Sequence, residues 1–266
     1  MPRHPPPTTV ALALLAAAAA VLGGCSPSAP VPTGATASPT PTPPAPVVVR
    51  AGEVTLEVTE PGSSGEPNVT VDGDDEAGTR VLTFDAAALD EATGGQAGPV
   101  EIALTSPGTF EDLPDGSVTV RDDDVAVGGL SAPRGARLTA VDDTHLEVRA
   151  SGASAASPDE TSPDEAEVTT TLGTRGVESA TWGDREGGRS LAVDPTAWAR
   201  DAGQAGVALV WAELVATEPE VDSATMHDQL ECHAIGAPDK ATWNLEPWRP
   251  DVGLVATMAA RCNPAT

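Results

Sequence analysis

The chain has 266 residues, with 40 acidic side chains against 14 basic ones and a formal charge of −26. That balance excludes nucleic acid and anionic membrane surfaces as electrostatic partners, because both demand a cationic face. The length, less an export signal and a linker, leaves room for one large or two small globular units, and an odd count of three cysteines requires an explanation for the extra thiol.

The first segment supplies one. Arg3 precedes an apolar run from Val10 to Leu22, which ends in Leu22-Gly23-Gly24-Cys25. The run is too short for a bilayer core that needs roughly twenty residues, so it reads as a cleaved signal peptide over 1–24. Small residues before a cysteine resemble the bacterial lipobox. By that resemblance Cys25 carries a diacyl anchor and becomes the new N-terminus, and two acyl chains hold a protein on a membrane where one is marginal. Residues 25–46, with a proline every few positions, cannot form a core and favour polyproline II. They read as a disordered tether reaching about 60 Å from the membrane. The expected location is the extracytoplasmic face of the cell membrane.

From 47 to 181 the hydrophobic period is two. Runs such as VTLEV, RVLTF, VEIAL, SVTV and HLEVRA alternate with turn clusters at Asp72-Gly73, Pro107-Gly108 and Asp115-Gly116. This predicts a β-rich region, an antiparallel meander or sandwich. Asp85 to Ala92 reads as one helical turn. His145 falls on the solvated face of its strand, and residues 151–167 form an acidic loop followed by a strand pair, VTTTL and VESATW.

Residues 182–266 read as a small α+β domain. Asp194-Pro195 offers an N-cap and first helical position, and apolar residues from Trp198 to Ala216 recur at helical spacing, interrupted by Gly203 and Gly206. Two later stretches alternate. In MHDQLECHAI, Cys232 shares a face with Met226 and Leu230; in GLVATMAARC, Cys262 shares one with Leu254 and Met258. Two strands presenting cysteines from their apolar faces predict a Cys232–Cys262 disulfide worth roughly 3–4 kcal/mol. Strand spacing also argues against a metal: neighbours at i and i+2 lie about 7 Å apart, wide for ligands of one ion. No metal and no cofactor is expected.

MHDQLECHA, KATWNLEPWRPDVG and RCNP together resemble the actinobacterial family known as domain of unknown function 2599, from about Asp194 to Pro264. The resemblance implies an exported or lipid-anchored protein whose domain has no established activity, so no catalytic residue carries over.

Three readings of the WNLEPWRPDVG run stay open. It is a rigid folding element, since Trp243 and Trp248 each have 150–250 Å² to bury and the prolines fix the chain. It is a binding surface, with Trp243, Trp248, Glu246, Arg249, Asp251 and nearby His233 as candidate contacts to cell-wall glycan or stem peptide. Or it belongs to a wall-acting hydrolase drawing on His227, Glu231, His233 and carboxylates of the same domain. The non-catalytic binding or structural role at the cell envelope is the leading expectation, with the hydrolase as the alternative.

Overall fold

The computed structural model describes residues 45–60, 69–73, 77–89, 99–151 and 167–265. The signal peptide, Cys25, the tether as far as residue 44 and residues 152–166 of the acidic loop lie outside the described residues.

Among the described residues the alternating runs become strands, and every pairing is antiparallel. One five-stranded sheet has the order β1 (Val47–Ala51), β2 (Val54–Thr59), β5 (Val100–Leu104), β10 (His145–Ala150) and β9 (Ala136–Asp142). A six-stranded sheet has the order β3 (Thr70–Asp72), β4 (Thr79–Asp85), β11 (Glu167–Gly173), β8 (Val125–Leu130), β7 (Val118–Asp122) and β6 (Thr109–Asp112) among the described residues. Their facing side chains form one buried cluster. Val49, Leu56, Ile102 and Leu146 come from the first sheet, and Leu82, Phe84, Val120, Leu130 and Leu172 from the second. This is the sandwich alternative of the two expected, with inward apolar residues every second position. The helical turn is also there, as α1 (Ala86–Leu89). His145 lies exposed, with its Nδ1 2.8 Å from Asp142.

The remainder is α+β. A three-stranded sheet has the order β12 (Val177–Arg185), β13 (Gly188–Pro195) and β14 (Trp243–Leu245). Around it run α2 (Ala197–Asp201), α3 (Gln204–Thr217), a 3-10 turn (Pro219–Val221), α4 (Ala224–Gly236) and α5 (Leu254–Ala259). β12 runs across residues 181 and 182, where the sequence reading divides the chain. Among the described residues no helix is long and apolar enough to cross a membrane.

Several local expectations need correction. VTTTL and VESATW do not pair with each other: β11 lies between β4 and β8, whereas β12 pairs with β13. Pro195 ends β13 rather than opening a helix, and Thr196 caps α2 by accepting from the Ala199 N–H. MHDQLECHAI is helix α4, and the stretch before Cys262 contains the short helix α5. In α4 the residues are mostly strong helix formers, and β14 takes the free edge of β13. The disulfide nevertheless forms, with Cα atoms 5.5 Å apart, joining Cys232 of α4 to Cys262 in the turn after α5.

What positions the two parts is α3. Its buried residues Ala205, Leu209, Val210 and Leu214 join the second core, with Leu191, Val193, Met226, Leu230 and Trp243, and its N-terminal turn meets the sandwich. Gly203 sits at the helix N-cap with φ +63, where a side chain would be strained and would collide with Asp115. Lacking a cap of its own, the helix borrows one. Asp115 Oδ2 accepts from the Gln204 N–H at 2.7 Å and Ser117 Oγ from the Ala205 N–H at 3.1 Å. Farther along, the Glu213 carboxylate accepts the N–H groups of Gly176 and Val177 at 2.7 and 2.8 Å. Burial pushes its pKa up, against the lowering effect of those two bonds. Trp198 closes the seam: its indole N–H donates to the Thr171 carbonyl at 3.0 Å while its ring covers Gly173.

Two substitutions probe this seam. Asp115→Ala removes a helix cap and is expected to cost about 1–2 kcal/mol in urea unfolding of the full chain. Gly173→Ala drives a methyl group into the Trp198 ring and is expected to cost about 1–3 kcal/mol.

Candidate functional site

The residues singled out in the WNLEPWRPDVG run converge, but inward. Trp243 and Leu245 are buried in β14, and Arg200 lies over the Trp243 ring at 5.4 Å. Arg200 also donates to the carbonyls of Pro238 and Lys240, both at 2.6 Å, and to Asp194 at 2.8 Å, so the loop before β14 is tied to α2. α4 serves the backbone groups of β14 and its neighbour that no strand takes up. Gln229 Nε2 donates to the Glu246 carbonyl and Gln229 Oε1 accepts the Glu246 N–H, both at 3.0 Å. One turn on, His233 Nε2 lies 3.1 Å from the Asn244 carbonyl, so that nitrogen carries the proton and donates.

His233 is 2% exposed, and its Nδ1 has no hydrogen-bond partner among the described residues. Burial, with a smaller effect from Lys240, pulls its pKa down to about 4. It is a buried, neutral hydrogen-bond donor at neutral pH.

Arg249 is the second inward anchor. Its guanidinium pairs with the buried Glu246 carboxylate, with Glu186 at 2.7 Å and with the Pro264 carbonyl at 3.1 Å. It also lies 4.5 Å from the Trp248 ring centroid. Trp248 is 43% exposed, yet one face covers Gly188, where a Cβ would strike the indole. Asp251 is exposed as well, its carboxylate accepting the Gly253 N–H at 3.3 Å. His233, Trp243, Glu246 and Arg249 therefore do not form the expected ligand-contacting surface. Two carboxylates facing one guanidinium, with the chain end on its other edge, make a clasp.

Open space lies elsewhere. A cleft of about 430 Å³ runs between α3 and the β7–β8 hairpin. Val125, Ala126, Ala212, Val215 and Trp211 give it an apolar floor, and Arg121, Asp124, Asp222 and His227 supply polar groups. Arg121 is held by Glu111 at 3.3 Å and by the Asp124 carbonyl, which leaves the rim acidic in character. The His227 ring stands edge-on to Trp211, 4.7 Å between centroids at 88°. Because α4 is a helix, His227 and Glu231 share a face, with Nδ1 and Oε1 3.9 Å apart; His233 does not share it. The wide spacing that argued against a metal belonged to a strand and does not apply. The cleft residues come from the β7–β8 hairpin and, far later in the chain, from α3 and the residues just after it, which sequence patterning had no means to assemble.

The last third of the chain matches a family model. Residues 177–265 match the family model described as "Protein of unknown function (DUF2599)". The DUF2599 match begins at the first residue of β12, earlier than the motif-bearing residues indicate, and takes in the three-stranded sheet and helices α2 to α5. Uncharacterized proteins of Mycobacterium tuberculosis and Mycobacterium bovis are each 41% identical over 98 residues, covering 34% of this chain and 64% of the relative. An uncharacterized protein of Mycobacterium leprae is 36% identical over 81 residues, covering 29% of this chain and 60% of the relative. The chain thus spans just under two thirds of the length of these relatives. No solved structure matches it.

The clasp and the buried imidazole give two expectations. Arg249→Ala strands the Glu246 carboxylate in the interior and is expected to cost about 3–5 kcal/mol in urea unfolding. For His233, the unfolded chain takes up a proton near the ordinary value of 6.5, while the folded imidazole resists protonation until about 4. Stability is then fully present above the unfolded value and falls as pH drops through that window, by roughly 3 kcal/mol at most. Unfolding midpoints measured from pH 7 to pH 4 (about three units) should show a slope in the wild type that His233→Asn lacks.

Proposed function

We propose that this chain is a lipid-anchored protein of the extracytoplasmic face of the cell membrane, a non-catalytic binding module whose ligand site is the cleft between α3 and the β7–β8 hairpin. The anchoring part of this reading is supported by the Leu22-Gly23-Gly24-Cys25 pattern behind a short apolar run and ahead of a proline-rich stretch. The binding part is carried by the cleft. An apolar floor bearing a half-buried tryptophan, with a few convergent polar groups at its rim, is the usual make-up of a small-ligand site.

Its chemistry favours some ligands over others. Asp124 and Asp222 accept hydrogen bonds, and Arg121 is already neutralised by Glu111. Such a rim suits hydroxyl-rich or cationic groups and repels anions. A sugar ring stacking on Trp211, or the amino-bearing part of a stem peptide, matches both the floor and the rim. Cell-wall glycan with its peptide is the natural source at this address.

Sedimentation with purified cell walls tests the binding. The wild-type chain is expected to co-sediment, Asp222→Asn and Trp211→Ala to lose most of that binding, and Asp251→Ala to keep it. No co-sedimentation by the wild type, or equal binding by all three variants, contradicts the proposal. The anchor has its own test: Cys25→Ser should move the protein from the membrane fraction to the soluble one.

A further inference from the structure

We infer that His227, Asp228 and Glu231 on α4 form a binding site for a divalent transition metal of the zinc class, adjoining the cleft that His227 lines. The three residues each offer a donor atom, and these atoms lie within 4.8 Å of one another. Helix α4 stacks His227 and Glu231 one turn apart on one face, and the Asp228 side chain, about 100° round the helix from His227, reaches toward the pair. The Nδ1–Oε1 separation of 3.9 Å between His227 and Glu231 is too long for a hydrogen bond. It is close to the roughly 3.4 Å that separates two ligands of a four-coordinate ion with bonds of about 2.1 Å. Small rotamer adjustments of two half-buried side chains close the difference.

The surroundings favour a cation. Trp211 packs against the imidazole in a T-shaped contact, which restricts the ring's orientation. Arg121, the guanidinium on the same cleft, is bound to Glu111 and the Asp124 carbonyl and does not compete for the carboxylates. Asp222 lines the same cleft as His227 and adds negative potential, within a chain of charge −26.

The donor set selects the metal. One imidazole nitrogen with two carboxylate oxygens suits zinc, manganese or their neighbours, whereas calcium and magnesium prefer oxygen alone. Three protein ligands leave a position free, as in sites that bind water or an exogenous ligand. His227 lines the large cleft and Glu231 the smaller one of about 290 Å³ beside α5, so an ion held between them is open to ligand from either side. The inference rests on donor geometry and stands whether or not the cleft takes cell-wall material.

Calorimetric titration of the chelator-treated full chain with zinc chloride alone is the test. A saturable isotherm of about one ion per chain is expected. His227→Ala should abolish it. Glu231→Gln should weaken it at least about tenfold, because losing even an outer partner costs that much. Unfolding midpoints of both variants in metal-free buffer should match the wild type, which separates ligation from folding. Absence of saturable binding, or binding unchanged by both substitutions, overturns the inference.

Discussion

The N-terminal turn of α3 is the constraint on which the rest of the structure depends. A helix carries unsatisfied N–H groups at its start, and Gly203 has no side chain with which to meet them. Asp115 and Ser117, nearly ninety residues earlier, do so from the turn leading into β7. The same helix buries one flank against β8 and gives Leu209, Val210 and Leu214 to the second core. The DUF2599 region and the sandwich are therefore joined by helix capping as well as by apolar contact. The large cleft exists because α3 lies against the β7–β8 hairpin along only part of its length.

Within the DUF2599 region a second constraint operates on a three-residue strand. β14 is too short to hold itself in place by its pairing with β13. Gln229 and His233, one turn apart on α4, satisfy backbone groups that a further strand would otherwise take. The Arg249 guanidinium then ties Glu246, Glu186 and Pro264 together, and the disulfide ties Cys262 to α4. The distinctive run of tryptophan, glutamate, proline and arginine is explained by this arrangement. Its charged residues are buried to hold a strand and a chain end, and an edge left open would have been exposed to pairing with other chains.

The legible parts of the fold were those encoded locally. Strands of the sandwich show as period-two runs cut by Asp-Gly and Pro-Gly turns, and Gly203 marks the break between α2 and α3. Sheet order was not legible, because the pairing of β11 with β4 and β8 joins segments far apart in sequence. The sequence of α4 reads as a strand for a definite reason. Met226, Leu230, Cys232 and Ala234 satisfy a period of two, while Met226, Leu230 and His233 satisfy a helix equally well. The tie-breaking signal was composition, since Met, Gln, Leu, Glu and Ala outnumber β-branched residues there. The cysteine pairing holds regardless because proximity follows from the packing of α4 on the chain end, whichever element carries Cys232. As for the site, concentrated tryptophans drew attention to the clasp, while the cleft needed Arg121, Trp211 and His227 to be brought together by tertiary structure.

The most direct measurement of the central claim is equilibrium urea unfolding of the full chain followed by two probes at once. All five tryptophans lie at or after residue 182, so their fluorescence reports the DUF2599 region, while far-ultraviolet circular dichroism reports the strands of the whole molecule. If α3 binds the two parts into one cooperative structure, the two curves coincide in a single transition. Two transitions with separate midpoints would show that the DUF2599 region and the sandwich unfold independently, and the shared helix would not be the constraint described above.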